Sequence, residues 1–219
     1  MATKSKEKIV SDNQIIKCYM DEVLLNERFP KSVFKFCSDH KLQEEVFYQH
    51  FGSFEGLQKA IWEKFHLNTL ALLQKNKEFD SYSNRDKMLT YFFTFFESLT
   101  LNRSYILFVL KEHRNVLKSA VQLKGLRMGY KVFVSALIQE ANTEKNYKIT
   151  RRSPQLFSEG AWVQLLFLLK FWMEDNSAAF EKTDMAIEKS VKTIFDVFEN
   201  TPLESIIDFG KFLFKENFA

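Results

Sequence analysis

Apolar side chains recur along this chain at helical spacing, and almost nowhere in the strict alternation of a half-buried strand. Ile15, Ile16, Tyr19, Met20, Val23 and Leu24 form one such stripe, which predicts a first helix from about Asp12 to Glu27 with Ser11 or Asp12 as its N-cap. Two short helices follow, roughly Ser32 to His40 and Gln43 to Gln49. A fourth starts at Ser53, places Glu55 early in its first turn where a carboxylate suits the helix dipole, and runs towards Lys75. The polar stretch Asn76 to Arg85 reads as a loop. Further helices are expected from about Asp86 to Leu101, Ser104 to Lys118 and Val121 to Ala141, before the longest polar connection, Asn142 to Pro154. The next helix, Gln155 to Asp175, is apolar on nearly all sides and must be covered by protein over most of its surface. Asp175-Asn176-Ser177 breaks it. A helix from about Phe180 to Phe198 and a short amphipathic segment from Leu203 to Phe214 complete an all-α pattern without internal repeats.

Composition narrows the picture. With 219 residues the chain fits one large domain, or a small N-terminal unit fused to a larger helical one. Only 3 Pro and 6 Gly argue against a turn-rich β fold, and 24 Phe point to helices packed through large rings. Cys18 and Cys37 lie on expected helices without metal-ligand spacing, and read as small buried residues in a reducing compartment. The N-terminal MATKSKEKIVSDNQ lacks the apolar region of a signal peptide. The most apolar stretch, Ala161 to Met173, is interrupted by Gln164 and Lys170 and is shorter than the ~20 residues of a membrane span. A cytoplasmic protein is expected. The four His (40, 50, 66, 113) are scattered, and there is no phosphate-binding glycine loop, nucleophile elbow or metal-spaced cluster. Neither an enzyme nor a cofactor is expected.

Ser32 to Leu57 carries the strongest signal. Two short helices are joined by a tight connection at Lys41-Leu42, and the second ends in Phe47-Tyr48-Gln49-His50-Phe51, a helix-turn-helix layout. Ser32-Val33, Cys37, Leu42, Phe47-Tyr48, His50-Phe51, Ser53, Glu55 and Leu57 fall at the spacing of the N-terminal DNA-binding domain of the TetR/AcrR family of bacterial repressors, which this stretch resembles. The resemblance implies a TetR-like fold, with a three-helix domain at 1–52 and a helical ligand-binding and dimerisation domain at 53–219. It also implies a homodimer whose partners are operator DNA and a hydrophobic small molecule. Lys31, Ser32 and Gln43 stand at helix starts, where side chains and free N–H groups can meet the DNA backbone. Tyr48 and His50 match positions that contact phosphates or pack the helix end, and Glu44 and Gln49 complete the candidate DNA-binding set. Phe47 and Phe51 read as a packing knot, and Tyr48 fits either role. The chain departs from the family's pattern at Lys41 (a turn glycine), at Glu44 (often basic), at Glu45 (usually small) and at Phe54 (usually lysine). Met1 to Phe65 carries ten Lys/Arg and ten Asp/Glu, so this part lacks the net positive charge usual in a DNA-binding domain.

The C-terminal half holds more large rings than a single narrow core needs: Phe92, Phe93, Phe95, Phe96, Tyr105, Phe108, Trp162, Phe167, Phe171 and Trp172. Of these Phe92, Phe96, Phe108, Trp162 and Phe167 are the candidates to line a cavity for an apolar ligand, the alternative being plain core. His113 is either a polar anchor there or an exposed helix residue. Leu169, Trp172, Ile187, Val191, Ile194, Phe195 and Phe198 are candidates for a dimer interface built as a four-helix bundle about a two-fold axis. Finally, Trp172, Asp175, Ser177 and Thr183 form a W-x-x-D-x-S…T pattern similar to one in the lipid-binding accessory protein of coenzyme Q biosynthesis, a TetR-fold family. That resemblance implies a rival function: a lipid-binding accessory protein that does not bind DNA and touches the membrane through Leu203 to Phe214. In the other reading, Asp175 and Ser177 cap the last helix.

Overall fold

Every regular element among the described residues is helical, as the spacing of apolar positions predicts. The computed structural model describes residues 10–112, 121–143 and 153–200. His113, the amphipathic segment from Leu203 to Phe214 and the side chain of Phe198 lie outside the described residues. The helices are α1 (Asp12–Asn26), α2 (Val33–Asp39), α3 (Glu44–His50), α4 (Phe54–Lys75), α5 (Asn84–Thr100), α6 (Arg103–Glu112), α7 (Lys124–Thr143), α8 (Pro154–Glu174) and α9 (Glu181–Asn200). None of them is long and apolar enough to cross a membrane. By packing, the chain divides into two units, Met1–Phe65 with Leu99–Leu126, and His66–Ser98 with Arg127–Ala219. Sequence alone suggested a division after residue 52; packing groups α1 to α3 with the first part of α4 and with α6.

In the first unit, Ser11 opens α1 with a full capping box: its hydroxyl accepts from the Gln14 amide, and the Gln14 side chain accepts from the Ser11 amide. Ile15, Ile16, Tyr19 and Val23 face inwards. Tyr19 is the centre of this core. Its ring lies 6.3 Å from Phe36, 5.5 Å from Phe54 and 6.4 Å from Tyr105. Its hydroxyl accepts from Gln58 Nε2 at 2.6 Å, and Gln58 Oε1 in turn accepts from Gln122 Nε2 at 3.1 Å, a chain of amide bonds where water is excluded.

In the second unit the core is a stack of rings. Tyr91 lies 5.8 Å from Phe95 and 4.9 Å from Phe133, both nearly parallel, and 5.2 Å from Tyr130. Phe96 meets Trp172 at 6.2 Å. Lys87 is buried and donates to both carboxylate oxygens of Glu140 at 3.0 and 3.1 Å, which neutralises a charge that could not otherwise sit there.

Two local expectations are corrected. The stretch Asn76 to Arg85 is not wholly a loop: Phe79–Ser81 forms a 3-10 turn because Phe79 is buried, an apolar anchor inside a polar run. The helix expected from Val121 to Ala141 is interrupted by a turn at Leu123, restarts at Lys124 and extends to Thr143.

Candidate functional site

The α2–turn–α3 surface is built from the inside outwards. Phe36 and Cys37 of α2 and Phe47 of α3 are buried, with Phe36 and Phe47 edge to face at 6.0 Å. The turn between the helices closes through the Leu42 amide on the Cys37 carbonyl at 2.8 Å, and Lys41 takes the left-handed conformation there (φ 54°). That conformation is where glycine is cheapest, so the lysine at this turn is paid for by the aromatic packing on either side. Phe54, which replaces a lysine of the family pattern, does not face outwards with the surface residues. It wedges between Tyr19, Phe36 and Phe47, at 5.5, 5.6 and 5.5 Å.

The expected DNA-binding residues are placed as follows. Lys31, Ser32, Gln43, Tyr48, Gln49 and His50 are exposed, and Glu44 is half-buried. Ser32 caps its own helix, accepting from the Lys35 amide at 3.4 Å. Gln43 stands exposed at the N-cap of α3 without a side-chain cap bond. The Tyr48 ring rests edge-on against Phe47 at 5.5 Å, while 53% of the residue stays exposed. His50 Nε2 lies 3.2 Å from the Val10 carbonyl, which ties it to the start of α1. The charges are segregated. Arg28, Lys31, Lys35 and Lys41 are exposed on the α1–α2 connection, α2 and the turn, whereas α3 brings Glu44 and Glu45 and no Lys or Arg.

The five expected ligand-lining residues are not brought together. Phe92 and Phe96 are fully packed, ring against ring, with Tyr91, Phe95, Tyr130 and Trp172. Trp162 is buried. Phe108 belongs to the first unit, where it packs edge-on against Phe29 at 5.4 Å. Phe167 is 54% exposed on the outer face of α8. The second unit does hold a small, partly open recess of about 70 Å3, lined by Met88, Val134, Leu137, Phe157, Ala161 and Phe195 among others, and none of the five lines it.

A buried polar pair lies beside the stacked rings. His66 Nδ1 lies 2.8 Å from the Tyr91 hydroxyl. Burial pushes the imidazole down to about 4, partly offset by its hydrogen bond to the Gly129 backbone, so the ring is neutral. Burial likewise drives the Tyr91 and Tyr130 phenols well above their usual range.

The proposed dimer surface needs correction. Leu169, Trp172, Ile187 and Val191 are buried within one chain, at 4%, 0%, 0% and 1% exposure, so they are interior residues and not surface. Phe195 lines the small recess, and Ile194 lines both that recess and an outer groove. This groove, of about 780 Å3, is formed by α8 and α9 from Val163, Phe167, Phe171, Met185 and Ala186, with Lys182 and Lys189 at its rim. Helix α8 is apolar all round for two reasons: one side fills the core, and Val163 and Phe167 on the other are 60% and 54% exposed.

Residues 87–213, more than half of the chain, match the family model described as "Tetracyclin repressor-like, C-terminal domain". The chain belongs to the TetR family. No curated protein and no solved structure matches it. The TetR match falls on α5 to α9, the part least legible as a family from its residues, and it agrees with the helix-turn-helix spacing read independently at the other end of the chain.

His66, Gly125 and Gly129 were not singled out from the sequence of this TetR chain, and the role of Asp175 was read only in part. His66 sits in register with the apolar positions of α4 (Ile61, Trp62, Phe65, Thr69 and Leu73 are all buried), which marks it as interior. Gly125-x-x-x-Gly129 is a small-residue spacing on one helix face: a Cβ on Gly129 would stand 2.6 Å from His66 Cδ2. Asp175 accepts four hydrogen bonds, a role its W-x-x-D-x-S…T setting announced only as a cap.

Proposed function

We propose that this TetR-family regulator is a homodimeric, cytoplasmic transcription factor. It binds operator DNA through α2 and α3, and a hydrophobic small molecule within 53–219. The α2–turn–α3 unit carries this reading. Its hydrophobic side is locked by Phe36, Phe47 and Phe54, leaving Lys31, Gln43, Tyr48 and Gln49 outwards on a rigid base. Lysines flank the pair, as phosphate anchoring requires, while α3 presents amide, phenol and carboxylate groups able to read base edges. A two-fold dimer offers two such helices to major-groove faces about 34 Å apart. Ligand binding then acts by favouring a dimer whose spacing no longer fits. The recess of about 70 Å3 among the described residues is far below the roughly 300 Å3 or more of ordinary ligand pockets, so a ligand entering there would displace the side chains that line it. Such a ligand couples to DNA through α4, whose residues pass from the first unit to the second at Phe65-His66.

The test is a mobility shift on DNA from upstream of the gene, over a salt series. Lys31→Ala should weaken binding and lower the salt slope by about one. Tyr48→Ala should weaken it at every salt concentration. The absence of any salt-sensitive shift on DNA from the chain's own locus sinks the reading. It would favour the second one, a TetR-fold lipid-binding accessory protein at the membrane surface, for which the acidic Glu44 and Glu45 of α3 speak. Lipid co-purified from the native host, seen by native mass spectrometry without DNA affinity, would support that alternative.

A further inference from the structure

Helices α8 and α9 meet through a connection of unusual backbone. Ala179 (φ 51°, ψ 14°) and Phe180 (φ 60°) are consecutive left-handed residues, both with a Cβ, inside the 3-10 turn Ala178–Phe180. This is uphill for L side chains and persists only where surrounding contacts dictate it. The contacts that dictate it converge on Asp175. One carboxylate oxygen accepts from the Ser177 amide and hydroxyl at 2.8 and 2.6 Å; the other accepts from the Thr183 amide and hydroxyl at 2.9 and 2.7 Å. Ser177 Oγ accepts in turn from the Lys182 amide at 3.2 Å. Trp172, one turn before the clasp, is fully buried, and its ring lies 6.2 Å from Phe96 and 6.4 Å from Phe180. The W-x-x-D-x-S…T pattern therefore has a mechanical meaning. Tryptophan roots the end of α8 in the core, and aspartate holds the first turn of α9 to it. Both oxygens of Asp175 are taken by the chain itself, which leaves them no part in holding a lipid head group.

We propose that Asp175 is the positioning residue of the chain's self-pairing surface, which it sets by fixing α9 against α8. The inference rests on the homodimer reading above, with the outer groove of Val163, Phe167, Phe171 and Met185 as the contact face. Apolar contact between two helices is non-directional and tolerates rotation and sliding. Four directional bonds on one buried carboxylate do not. Further along the hairpin, Gln164 Nε2 donates to Ser190 Oγ at 3.0 Å, a second polar tie between the same helices. With the clasp gone, Ala179 and Phe180 relax out of the left-handed region, α9 turns on α8, and the groove no longer matches its own copy.

The experiment uses the full chain in sedimentation velocity over a concentration series, with hydrogen exchange of the Ser177 and Thr183 amides as the local readout. The wild type should sediment as a dimer. Asp175→Asn, whose amide turns a donor towards donors, should weaken dimerisation by roughly tenfold or more while helical circular dichroism is kept. Thr183→Val, which removes a single donor, should shift it less in the same direction. Adding Ala179→Gly to Asp175→Asn should restore part of the affinity, because glycine lowers the strain the clasp has to hold. An Asp175→Asn chain that dimerises like the wild type although its Thr183 amide has lost protection overturns the proposal. A wild type that is monomeric throughout overturns the homodimer reading, and this inference with it.

Discussion

His66 on α4 and Tyr91 on α5 share a hydrogen bond of 2.8 Å beside a stack of buried rings, and Gly129 on α7 supplies the space for it. Burial at this place keeps the imidazole neutral and gives stability a dependence on pH. The folded imidazole titrates near 4, against 6.5 for the ordinary group. Between those values the unfolded chain binds the proton and the folded chain does not, so stability rises with pH. The contribution is fully present above about pH 6.5 and is lost as pH falls towards 4.

Comparing wild type with His66→Gln isolates this effect from the carboxylates, which titrate alike in both. Urea unfolding should show the wild type losing on the order of 2–3 kcal/mol more than the variant between pH 7 and pH 4. A difference between the two proteins that stays flat over that range would rule out a neutral, buried His66.

The two glycines of α7 should respond differently to the same change. At Gly129 an added Cβ would stand 2.6 Å from His66 Cδ2 and 2.8 Å from Nε2; at Gly125 the nearest atom, Glu63 Cβ, is 3.4 Å away. Gly129→Ala should therefore cost about 1–3 kcal/mol, from overpacking against a ring that cannot retreat. Gly125→Ala should be within about 1 kcal/mol of neutral, since a helix favours alanine. Thermal melts of the two variants decide it, and equal losses would contradict the close approach at His66.

Lys41→Gly should stabilise the chain by up to about 1 kcal/mol, because φ is 54° at this turn and glycine adopts that value without steric cost. Its effect on DNA affinity reports whether the lysine was kept for its charge. Stabilisation with a weaker, less salt-dependent mobility shift places Lys41 against phosphate; stabilisation alone does not. Destabilisation on denaturant titration would show that the turn is built differently.

Val163→Glu with Phe167→Glu should leave a folded monomer, because both residues are more than half exposed and lie on the groove face. Val191→Glu should instead unfold the chain, since a charge at 1% exposure without a partner costs several kcal/mol. Sedimentation and circular dichroism separate the outcomes. A folded Val163→Glu, Phe167→Glu dimer would place the self-pairing surface elsewhere.

The sequence by itself determined the helical class, because the apolar period of α1, α4 and α9 is a local property of neighbouring turns. It also determined the helix-turn-helix, since the cap at Ser32, the turn at Lys41 and the rings at Phe47 and Phe51 all lie within one short stretch. It marked Asp175 and Ser177 as a cap for the same reason. What it left open is which side of an apolar helix faces inwards. Trp172 and Val191 became core while Val163 and Phe167 stayed outside, although all four are large and apolar. Phe54 turned inwards onto Tyr19, and Phe108 packed on Phe29 instead of joining Phe92 and Phe96. Those outcomes depend on which helices pack together, and residues as far apart as His66, Tyr91 and Gly129 meet only once tertiary packing has chosen the neighbours.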